Sequence, residues 1–326
     1  MPPRLLITMG DVAGIGPEII ARAWPDLLAI GTPVVVGDPA WLRRGVELVG
    51  SAAVVQPVAE LAQARPAAGV VPCLAATSQD LSGIRPGAVS AAAGRAAYDF
   101  LCEAIRLTLA DAADAIVTCP LHKEGLHAAG VPYPGHTEIL AARTGAKSHA
   151  MLLHGDRLTV AHVTLHLALR AVFANLSQES VRATIDLLDG LLPKLLGRRP
   201  RLGVCALNPH ASDGGLFGDE EERVIAPAVA AARRDGLDVT GPIPSDALWA
   251  RAAAGEFDGI VAMYHDQGHI PMKLRSGRRA VNITAGLPIV RTSVAHGTAY
   301  DIAGKGVADA SSLVAAARVA ALLSRV

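Results

Sequence analysis

The sequence predicts an α/β protein of two lobes with mostly parallel sheets, and three observations support this fold class. A chain of 326 residues exceeds the size at which one hydrophobic core normally keeps growing, which favours two lobes. Hydrophobic residues make up 51% of the chain but aromatic residues only 3%, a balance that suits helices packed on buried parallel strands. Short apolar runs also alternate with longer helical stretches, as in parallel α/β proteins.

Seven short apolar segments that end in turn residues predict β-strands. These segments are residues 5–8, 33–36, 115–118, 158–163, 202–207, 259–263 and 280–283. Longer segments between them have helical character. The clearest predicted helices are residues 90–109, 177–196 and 220–234. Strand and helix therefore alternate along most of the chain, which predicts helices on both faces of each sheet.

The balance of charge and hydropathy argues against two classes of partner. Thirty basic residues match thirty acidic residues, so no overall electric field attracts nucleic acid or an anionic membrane. No apolar run approaches the length of a membrane span, and the N-terminus lacks the features of a signal peptide. We therefore expect a cytoplasmic protein that binds neither nucleic acid nor membranes.

The four cysteines give no sign of a metal or redox motif. They are Cys73, Cys102, Cys119 and Cys205. Because they lie far apart and form no Cys-x-x-Cys pair, the sequence argues against a zinc ribbon, a redox pair and a disulfide framework. We expect buried, reduced thiols.

A glycine-containing turn follows the first predicted strand. Gly10, Gly14 and Gly16 are spaced four and then two residues apart, which is not the G-x-G-x-x-G order of a dinucleotide-binding Rossmann turn. Pro17 and Glu18 suit the start of a helix, so the segment also reads as an ordinary tight turn that opens a helix.

Histidines follow three of the predicted strands. His162 and His166 follow the fourth strand, His210 the fifth and His265 the sixth. Ligands gather at the carboxyl ends of strands in open α/β sheets, and three neutral imidazoles with an open fourth position form a catalytic metal site. A single histidine is more often an ordinary surface or core residue, and spacing alone does not establish that the three converge.

Carboxylates accompany these histidines. Asp266 lies between His265 and His269, and Asp246 lies in a turn after Pro244. Either carboxylate could bind a divalent cation directly or orient its histidine ligands. For Asp246, a helix N-cap is an equally ordinary role.

Groups that suit an anion occur in several predicted loops. They are His136, Thr137, Lys273, Asn282 and Arg291. Basic side chains combined with a hydroxyl and an amide commonly hold a phosphate or a carboxylate, although each of these residues alone could be an ordinary surface residue.

Six segments resemble, in order, the 4-hydroxythreonine-4-phosphate dehydrogenase family, and the similarity spans nearly the whole chain. They are residues 7–18, 120–124, 135–138, 207–210, 263–269 and 296–299. The first and last segments also resemble the ends of isocitrate and isopropylmalate dehydrogenases. This resemblance implies two α/β/α lobes with the active site in the cleft between them. Residues 1–128 plus 275–326 would form a nucleotide-binding lobe, and residues 129–274 a metal-binding and dimerisation lobe.

The resemblance also implies roles for individual residues. The family's metal ligands correspond to His166, His210 and His265. Its substrate contacts correspond to His136, Thr137, Lys273, Asn282 and Arg291. Its catalytic groups near the metal correspond to Asp246, Asp266 and Lys273. The nucleotide contacts correspond to His296, Gly297, Thr298, Ala299 and Asp301. The family is dimeric with shared sites, so we expect a homodimer in which His166 and His210 come from one subunit and His265 from the other.

The implied activity is oxidation of a secondary alcohol with NAD or NADP, followed by decarboxylation. One divalent metal (Zn, Mg, Mn or Co) would assist at each site, and the general base is not identified. The implied substrate is 4-hydroxythreonine 4-phosphate, of pyridoxine biosynthesis, or a close hydroxy-acid phosphate such as threonate 4-phosphate.

Two departures from the family pattern leave the substrate open. Val12 stands where the family usually has proline, and Ala295 where we expect aspartate. Related branches oxidise threonate or erythronate phosphates, or a non-phosphorylated dihydrodiol carboxylate. A metal-dependent hydrolase or aldolase is the alternative from another class, because three histidines with acids also suit that chemistry.

Overall fold

The computed structural model describes residues 2–155 and 157–325, apart from the side chain of residue 278. The chain divides into two compact units. Unit 1 comprises Met1–Lys147 and Leu287–Val326, and unit 2 comprises Ser148–Gly286.

The strands alternate with helices in both units. In chain order the strands are β1 Arg4–Thr8, β2 Thr32–Gly37, β3 Val54–Val58, β4 Val70–Ala75, β5 Ala115–Thr118, β6 Ala150–Gly155, β7 Leu158–His162, β8 Leu202–Cys205, β9 Val239–Ile243, β10 Gly259–Ala262, β11 Val281–Ala285 and β12 Val290–Val294. All seven predicted strands are confirmed, with bounds that differ by at most two residues. Five strands were not predicted, and β12 shows why: its centre, Arg291, Thr292 and Ser293, is polar although it is buried.

The helices include the three that the sequence predicted most clearly. In chain order they are α1 Gly16–Ile30, α2 Pro39–Leu48, α3 Ala91–Leu109, α4 Lys123–Ala128, α5 His136–Thr144, α6 Leu169–Asn175, α7 Gln178–Leu196, α8 Ala226–Arg234, α9 Ser245–Ala253, α10 His265–Ser276 and α11 Ser311–Leu323. A π-helical turn, Glu221–Ile225, precedes α8. Within the described part of the chain, no helix has both the length and the apolar character needed to cross a membrane.

Unit 1 contains six parallel strands in the order β3-β4-β2-β1-β5-β12. The central strand β1 is apolar, and its side chains Leu5, Leu6 and Ile7 are fully buried. Such a continuous apolar run is typical of a parallel strand that is covered on both faces. The short α4 can approach α3 closely because Gly94 lies against Gly125, where a Cβ atom would be 2.1 Å from the Gly125 carbonyl oxygen.

Unit 2 contains six strands in the order β11-β6-β7-β10-β8-β9. Strand β6 is antiparallel to both neighbours, whereas β7, β10, β8 and β9 are parallel. Strands β7, β10 and β8 are therefore adjacent, and the segments that follow them leave from the same edge of the sheet. These are the segments that carry the predicted metal-ligand histidines.

The units divide the chain at different points from the expected lobes. Helix α5 packs on α3, so unit 1 continues to Lys147 rather than ending at residue 128. Strand β11 pairs with β6 along its length, so unit 2 continues to Gly286 rather than ending at residue 274. Pairing between segments distant in sequence sets both boundaries, and no local feature marked them.

A buried carboxylate, that of Asp258, lies directly before β10. Asp258 accepts hydrogen bonds from the guanidinium of Arg198 at 2.7 and 2.9 Å and from the backbone N–H of Arg201 at 2.8 Å. Its side chain is only 7% exposed. Burial tends to raise the pKa of this carboxyl, but the hydrogen bonds from Arg198 and Arg201 outweigh it, so the pKa lies below its ordinary value.

Replacing this carboxylate should destabilise unit 2 in a pH-dependent way. We expect Asp258→Asn to lower the free energy of unfolding by about 2 kcal/mol at neutral pH, because charged hydrogen bonds are lost. Stabilisation from a depressed folded-state pKa is complete above the unfolded pKa and is lost progressively as pH falls towards the folded pKa, so the difference should shrink as pH falls from about 5 to about 2. Urea unfolding at several pH values measures it. The control is Asp186→Asn, which removes an exposed pair with Arg182 and should cost less than about 0.5 kcal/mol; equal effects of the two variants would contradict the prediction.

Candidate functional site

Three parallel strands of unit 1 end level with one another. Thr8 of β1 lies opposite Thr118 of β5, which lies opposite Ser293 of β12. The segments that follow these strands therefore meet at one edge of the sheet. They carry Asp11, His122 and the predicted nucleotide contacts from His296 onward.

Asp11 is a fully buried carboxyl at this edge. It accepts hydrogen bonds from the backbone N–H of Ala13 at 2.8 Å and from the hydroxyl of Tyr300 at 2.7 Å. Burial raises the pKa of Asp11, although both hydrogen bonds and the neighbouring His122 act in the opposite direction. The ring of Tyr300 stacks on the ring of His122, with centroids 4.6 Å apart. One cluster thus joins the segments that follow β1, β5 and β12.

The glycine-containing turn supports the segment predicted to contact the nucleotide. The backbone N–H of Ile15 donates to the carbonyl of Thr298 at 3.1 Å. Gly14 lies so close that a Cβ atom there would be 2.9 Å from the same carbonyl oxygen. Nε2 of His296 is buried, and among the described residues it has no hydrogen-bond partner. A buried ring nitrogen of this kind fits a hydrogen bond to a bound ligand.

Three predicted substrate contacts lie together in unit 1. Arg291 is only 3% exposed and donates to the hydroxyl of Thr118 at 2.7 Å. Burial lowers the pKa of Arg291 to about 9, partly opposed by Glu138, which leaves a charged guanidinium at neutral pH. The half-buried His136 begins α5, and burial and the charge of Arg291 lower its pKa well below the ordinary value. Thr137 follows it in the first helical turn. A cation, a neutral imidazole and a hydroxyl are therefore available to one anion.

The other two predicted substrate contacts belong to unit 2. Lys273 is an exposed residue in the last turn of α10, and Asn282 is half-buried on β11. The five residues that the sequence suggested for an anion are thus divided between the units, three and two.

Four histidines cluster at the edge of unit 2. His265 begins α10, and His269 lies one turn later with its ring stacked on that of His265, centroids 3.9 Å apart. His162, at the end of β7, has its Nε2 atom 3.0 Å from Nδ1 of His269. The rings of His166 and His265 are 6.1 Å apart between centroids. Gly268 makes this packing possible, because a Cβ atom there would be 2.4 Å from Nε2 of His162.

Two of these histidines are neutral at physiological pH. Burial and the neighbouring imidazoles lower the pKa of His162 to about 3. Burial and the nearby His265 and Lys273 lower the pKa of His269 to about 4. Neutral imidazoles stack and exchange hydrogen bonds without charge repulsion, so the cluster is compatible with a compact fold.

His210 lies apart from this arrangement. Its side chain is 69% exposed, its Nδ1 atom is 3.5 Å from a carboxylate oxygen of Asp213, and its ring contacts Phe217 edge to face. Within residues 2–155 and 157–325, no group of three or more His, Cys, Asp or Glu side chains is arranged to hold a metal ion. The single chain thus brings His166 and His265 together, whereas the expected division paired His166 with His210.

The predicted catalytic acids occupy first turns of helices. Asp266 in α10 accepts a hydrogen bond from Nδ1 of His265 at 2.7 Å. Asp246 is exposed at the second position of α9. Pro244 occupies the N-cap of that helix, so the alternative of Asp246 as an N-cap is wrong.

Several residues of these clusters were not singled out from sequence. His269 had a usable signal, because it stands four residues after His265 and shares a helical face with it. Asp11 and Tyr300 had none, since 289 residues separate them.

The chain is similar to known proteins over nearly its whole length. Residues 29–320 match the family described as pyridoxal phosphate biosynthetic protein PdxA. The chain is 47% identical to the 4-hydroxythreonine-4-phosphate dehydrogenase of Geobacter metallireducens over 99% of its own length and 96% of the relative's. It is 44% identical to the D-threonate 4-phosphate dehydrogenase of Salmonella typhimurium, with 98% of both chains covered.

A solved structure gives the same result for the fold. The crystal structure of a 4-hydroxythreonine-4-phosphate dehydrogenase from Klebsiella pneumoniae matches with a TM-score of 0.90 and 43% identity. The match covers 99% of this chain and all of the other. The similarity therefore extends over both units.

Proposed function

Because the chain belongs to the family of pyridoxal phosphate biosynthetic protein PdxA, we propose that it is a dehydrogenase that transfers a hydride from a phosphorylated hydroxy acid to NAD or NADP. One observation carries the proposal: the chain is 43–47% identical, over nearly its full length, to two groups of relatives named as such dehydrogenases. The buried Arg291, held on β12 of unit 1, supports a substrate that carries a dianionic group.

Two substrates follow from the relatives' names. They are 4-hydroxythreonine 4-phosphate, which would give the chain a role in pyridoxine biosynthesis, and D-threonate 4-phosphate. In both molecules the alcohol that is oxidised lies β to the carboxylate, so the product is a β-keto acid that can lose carbon dioxide. We propose that Arg291, His136 and Thr137 of unit 1 bind the phosphate. Lys273 and Asn282 of unit 2 remain proposed substrate contacts.

Residues 296–301 are proposed to hold the nucleotide. They follow β12 at the edge where parallel sheets bind ligands. The exposed Gly297 has open space at its Cβ position, and the buried Nε2 atom of His296 can hydrogen-bond to a ligand. The remaining proposed contacts are Thr298, Ala299 and Asp301.

The histidines of unit 2 fit a divalent cation (Zn, Mg, Mn or Co). Rings whose centroids are 6.1 Å apart, as in His166 and His265, can reach one ion, because metal–nitrogen bonds are about 2.0–2.1 Å long. Asp266 fixes the tautomer of His265 by accepting from Nδ1, which leaves Nε2 as the ligand atom. When bound, the cation would polarise the substrate alcohol as a Lewis acid. Asp246 and Lys273 remain proposed catalytic groups.

The third ligand is proposed to come from a second copy of the chain. Among the described residues of one chain, His166 and His265 lie together and His210 lies apart, so these residues offer an incomplete set of ligands. Among the described residues of unit 2, seven large apolar side chains are exposed, and all follow closely after one of these histidines. They are Leu167, Leu169, Phe173, Leu216, Phe217, Ile270 and Leu274. A homodimer that buries these side chains and shares its metal sites accounts for both observations.

A cytoplasmic location is part of the proposal. All four cysteines are free thiols, and three of them are buried. Free thiols without disulfides are typical of a reducing compartment.

Steady-state kinetics test the proposed function. We expect NAD or NADP reduction with 4-hydroxythreonine 4-phosphate or D-threonate 4-phosphate, and loss of activity with a strong chelator that is reversed by added divalent metal. The dephosphorylated compounds should show a kcat/KM at least about tenfold lower, because the charge-assisted contacts of Arg291 are lost.

The alternatives give different results in the same assay. A preference for a non-phosphorylated dihydrodiol carboxylate would reject the phosphate role of Arg291. Substrate cleavage without any change in nicotinamide absorbance would reject a dehydrogenase in favour of a hydrolase or aldolase. Full activity after complete removal of metal would reject the metal-assisted reaction.

A further inference from the structure

The turn that presents His210 has an unusual backbone. Four consecutive residues that are not glycine have positive φ angles: His210 at 54°, Ala211 at 55°, Ser212 at 72° and Asp213 at 48°. L-residues rarely adopt this left-handed conformation, because Cβ approaches the following carbonyl oxygen. Such a run persists only where the surroundings hold it in place.

One side chain, Glu221, accepts four hydrogen bonds from this segment. The Oε1 atom of Glu221 accepts hydrogen bonds from the backbone N–H groups of Leu207 and Asn208, both at 2.7 Å. Its Oε2 atom accepts from the side-chain amide of Asn208 at 2.9 Å and from the hydroxyl of Ser212. The carboxylate therefore binds the chain on both sides of His210, three residues before it and two residues after it.

Glu221 lies in the protein interior at the start of a π-helical turn. It is only 4% exposed although it is charged, and it begins the π-helical turn Glu221–Ile225. A π-helical turn widens the helix locally and is frequent at functional sites. Burial would raise the pKa of Glu221, but the hydrogen bonds from Asn208 and Ser212 lower it overall, so the carboxylate is the form that the turn binds.

The neighbouring Glu220 also contacts the turn, but it makes fewer hydrogen bonds to it than Glu221 does. Glu220 also accepts from the side-chain amide of Asn208, at 2.7 Å, but it makes none of the backbone contacts. Glu222 is exposed to solvent. Of three consecutive glutamates, the central one therefore carries the side-chain contacts to the backbone N–H groups of the turn.

We propose that Glu221 is a positioning residue that pre-organises the turn of residues 207–213 so that His210 is presented to the metal of the partner subunit. The proposal rests on the proposed function for the role of His210, and it adds a residue that no ligand touches. A side chain on an exposed, strained turn loses entropy when it binds, and a turn fixed in advance reduces that loss. Without Glu221 the turn should relax to ordinary backbone angles and His210 should no longer be held in place.

A double-mutant cycle on the intact homodimer tests this role. Zn²⁺ affinity is measured by competition with a chromophoric chelator for the unmodified protein, Glu221→Ala, His210→Ala and the double variant. We expect Glu221→Ala to weaken Zn²⁺ binding about 10–100-fold, as losses outside the ligand shell do. In the His210→Ala background the same change should have no further effect, because Glu221 acts through that ligand.

Amide hydrogen exchange gives a readout that does not depend on metal or activity. In metal-free Glu221→Ala, the backbone N–H groups of Leu207 and Asn208 should exchange faster than in the unmodified protein. Glu222→Ala, the exposed neighbour, is the matched control and should change neither exchange nor Zn²⁺ affinity. Glu221→Gln keeps the acceptor for both backbone groups but loses the charge, so its Zn²⁺ affinity should be intermediate. If Glu221→Ala fails to fold, Glu221→Gln takes its place in both measurements.

Three outcomes would overturn the proposal. Equal loss of Zn²⁺ affinity from Glu221→Ala with and without His210 would show a general structural role. Unchanged exchange at Leu207 and Asn208 would show that Glu221 does not hold the turn. Unchanged Zn²⁺ affinity in His210→Ala alone would show that His210 is no ligand, so that the failure lies in the proposed metal site, while the exchange result still reports on the turn.

Discussion

A mixture of His166→Ala and His210→Ala chains, unfolded and refolded together, is expected to regain activity that neither parent has. If His166 and His265 of one chain share a metal with His210 of the partner, a mixed dimer has one doubly broken site and one intact site. Random pairing makes half of the dimers mixed, so about a quarter of the unmodified activity should return. Each parent alone has only broken sites.

Two further mixtures of variants test which of the three histidines belong to the same chain. His265→Ala with His210→Ala should also complement, whereas His166→Ala with His265→Ala should not, because those two ligands lie on the same chain. The division expected from resemblance gives the opposite result for two of the mixtures: recovery from His166→Ala with His265→Ala, and none from His166→Ala with His210→Ala.

Complementation in none of the three mixtures, with heterodimers shown to form by native mass spectrometry, would mean that each metal site belongs to a single chain. The control is a mixture of either variant with unmodified chains, which shows that refolding itself preserves activity. Metal content of the separated heterodimers gives a second readout, because one intact site should retain one ion.

Arg291→Met is expected to raise KM for the phosphorylated substrate about 10- to 150-fold, since the loss of charge-assisted hydrogen bonds costs about 1.5–3 kcal/mol. The KM for the nucleotide should change by less than about twofold. A variant that retains charge, Arg291→Lys, should recover part of the loss, because an ammonium attracts phosphate without forming the two parallel bonds of a guanidinium. Equal increases in both KM values would assign Arg291 a different role.

Titration of His136 tests the charge of Arg291 without any substrate. Burial lowers the pKa of His136, and the positive charge of Arg291 lowers it further by disfavouring the protonated form. Removing that charge in Arg291→Met should therefore raise the pKa of His136, and NMR of the ring protons can measure the change. Thr118→Val removes a hydrogen-bond partner of Arg291 while keeping the charge, so it should leave the pKa of His136 nearly unchanged. An identical pKa in Arg291→Met would mean that the two groups do not interact.

The fold class could be predicted from sequence because it depends on local patterns. Buried strands in α/β proteins are short apolar runs, and all seven that the sequence predicted are present. Strand β12 was not predicted, because the burial of its polar centre depends on the side chains of the strand beside it. Thr118 on the neighbouring β5 accepts the hydrogen bond of Arg291, so a polar side chain could be buried there.

The sequence by itself determined the α/β class, the alternation of elements and the segments that resemble the family, because hydropathy periods and short motifs are properties of neighbouring residues. Only the tertiary structure decided where the two units divide, that His166 lies with His265 rather than with His210, and that Glu221 supports the turn of His210. These depend on strand pairing and on hydrogen bonds between groups far apart in the chain. Such contacts form only when burial removes water as the competing partner, and no local pattern records them.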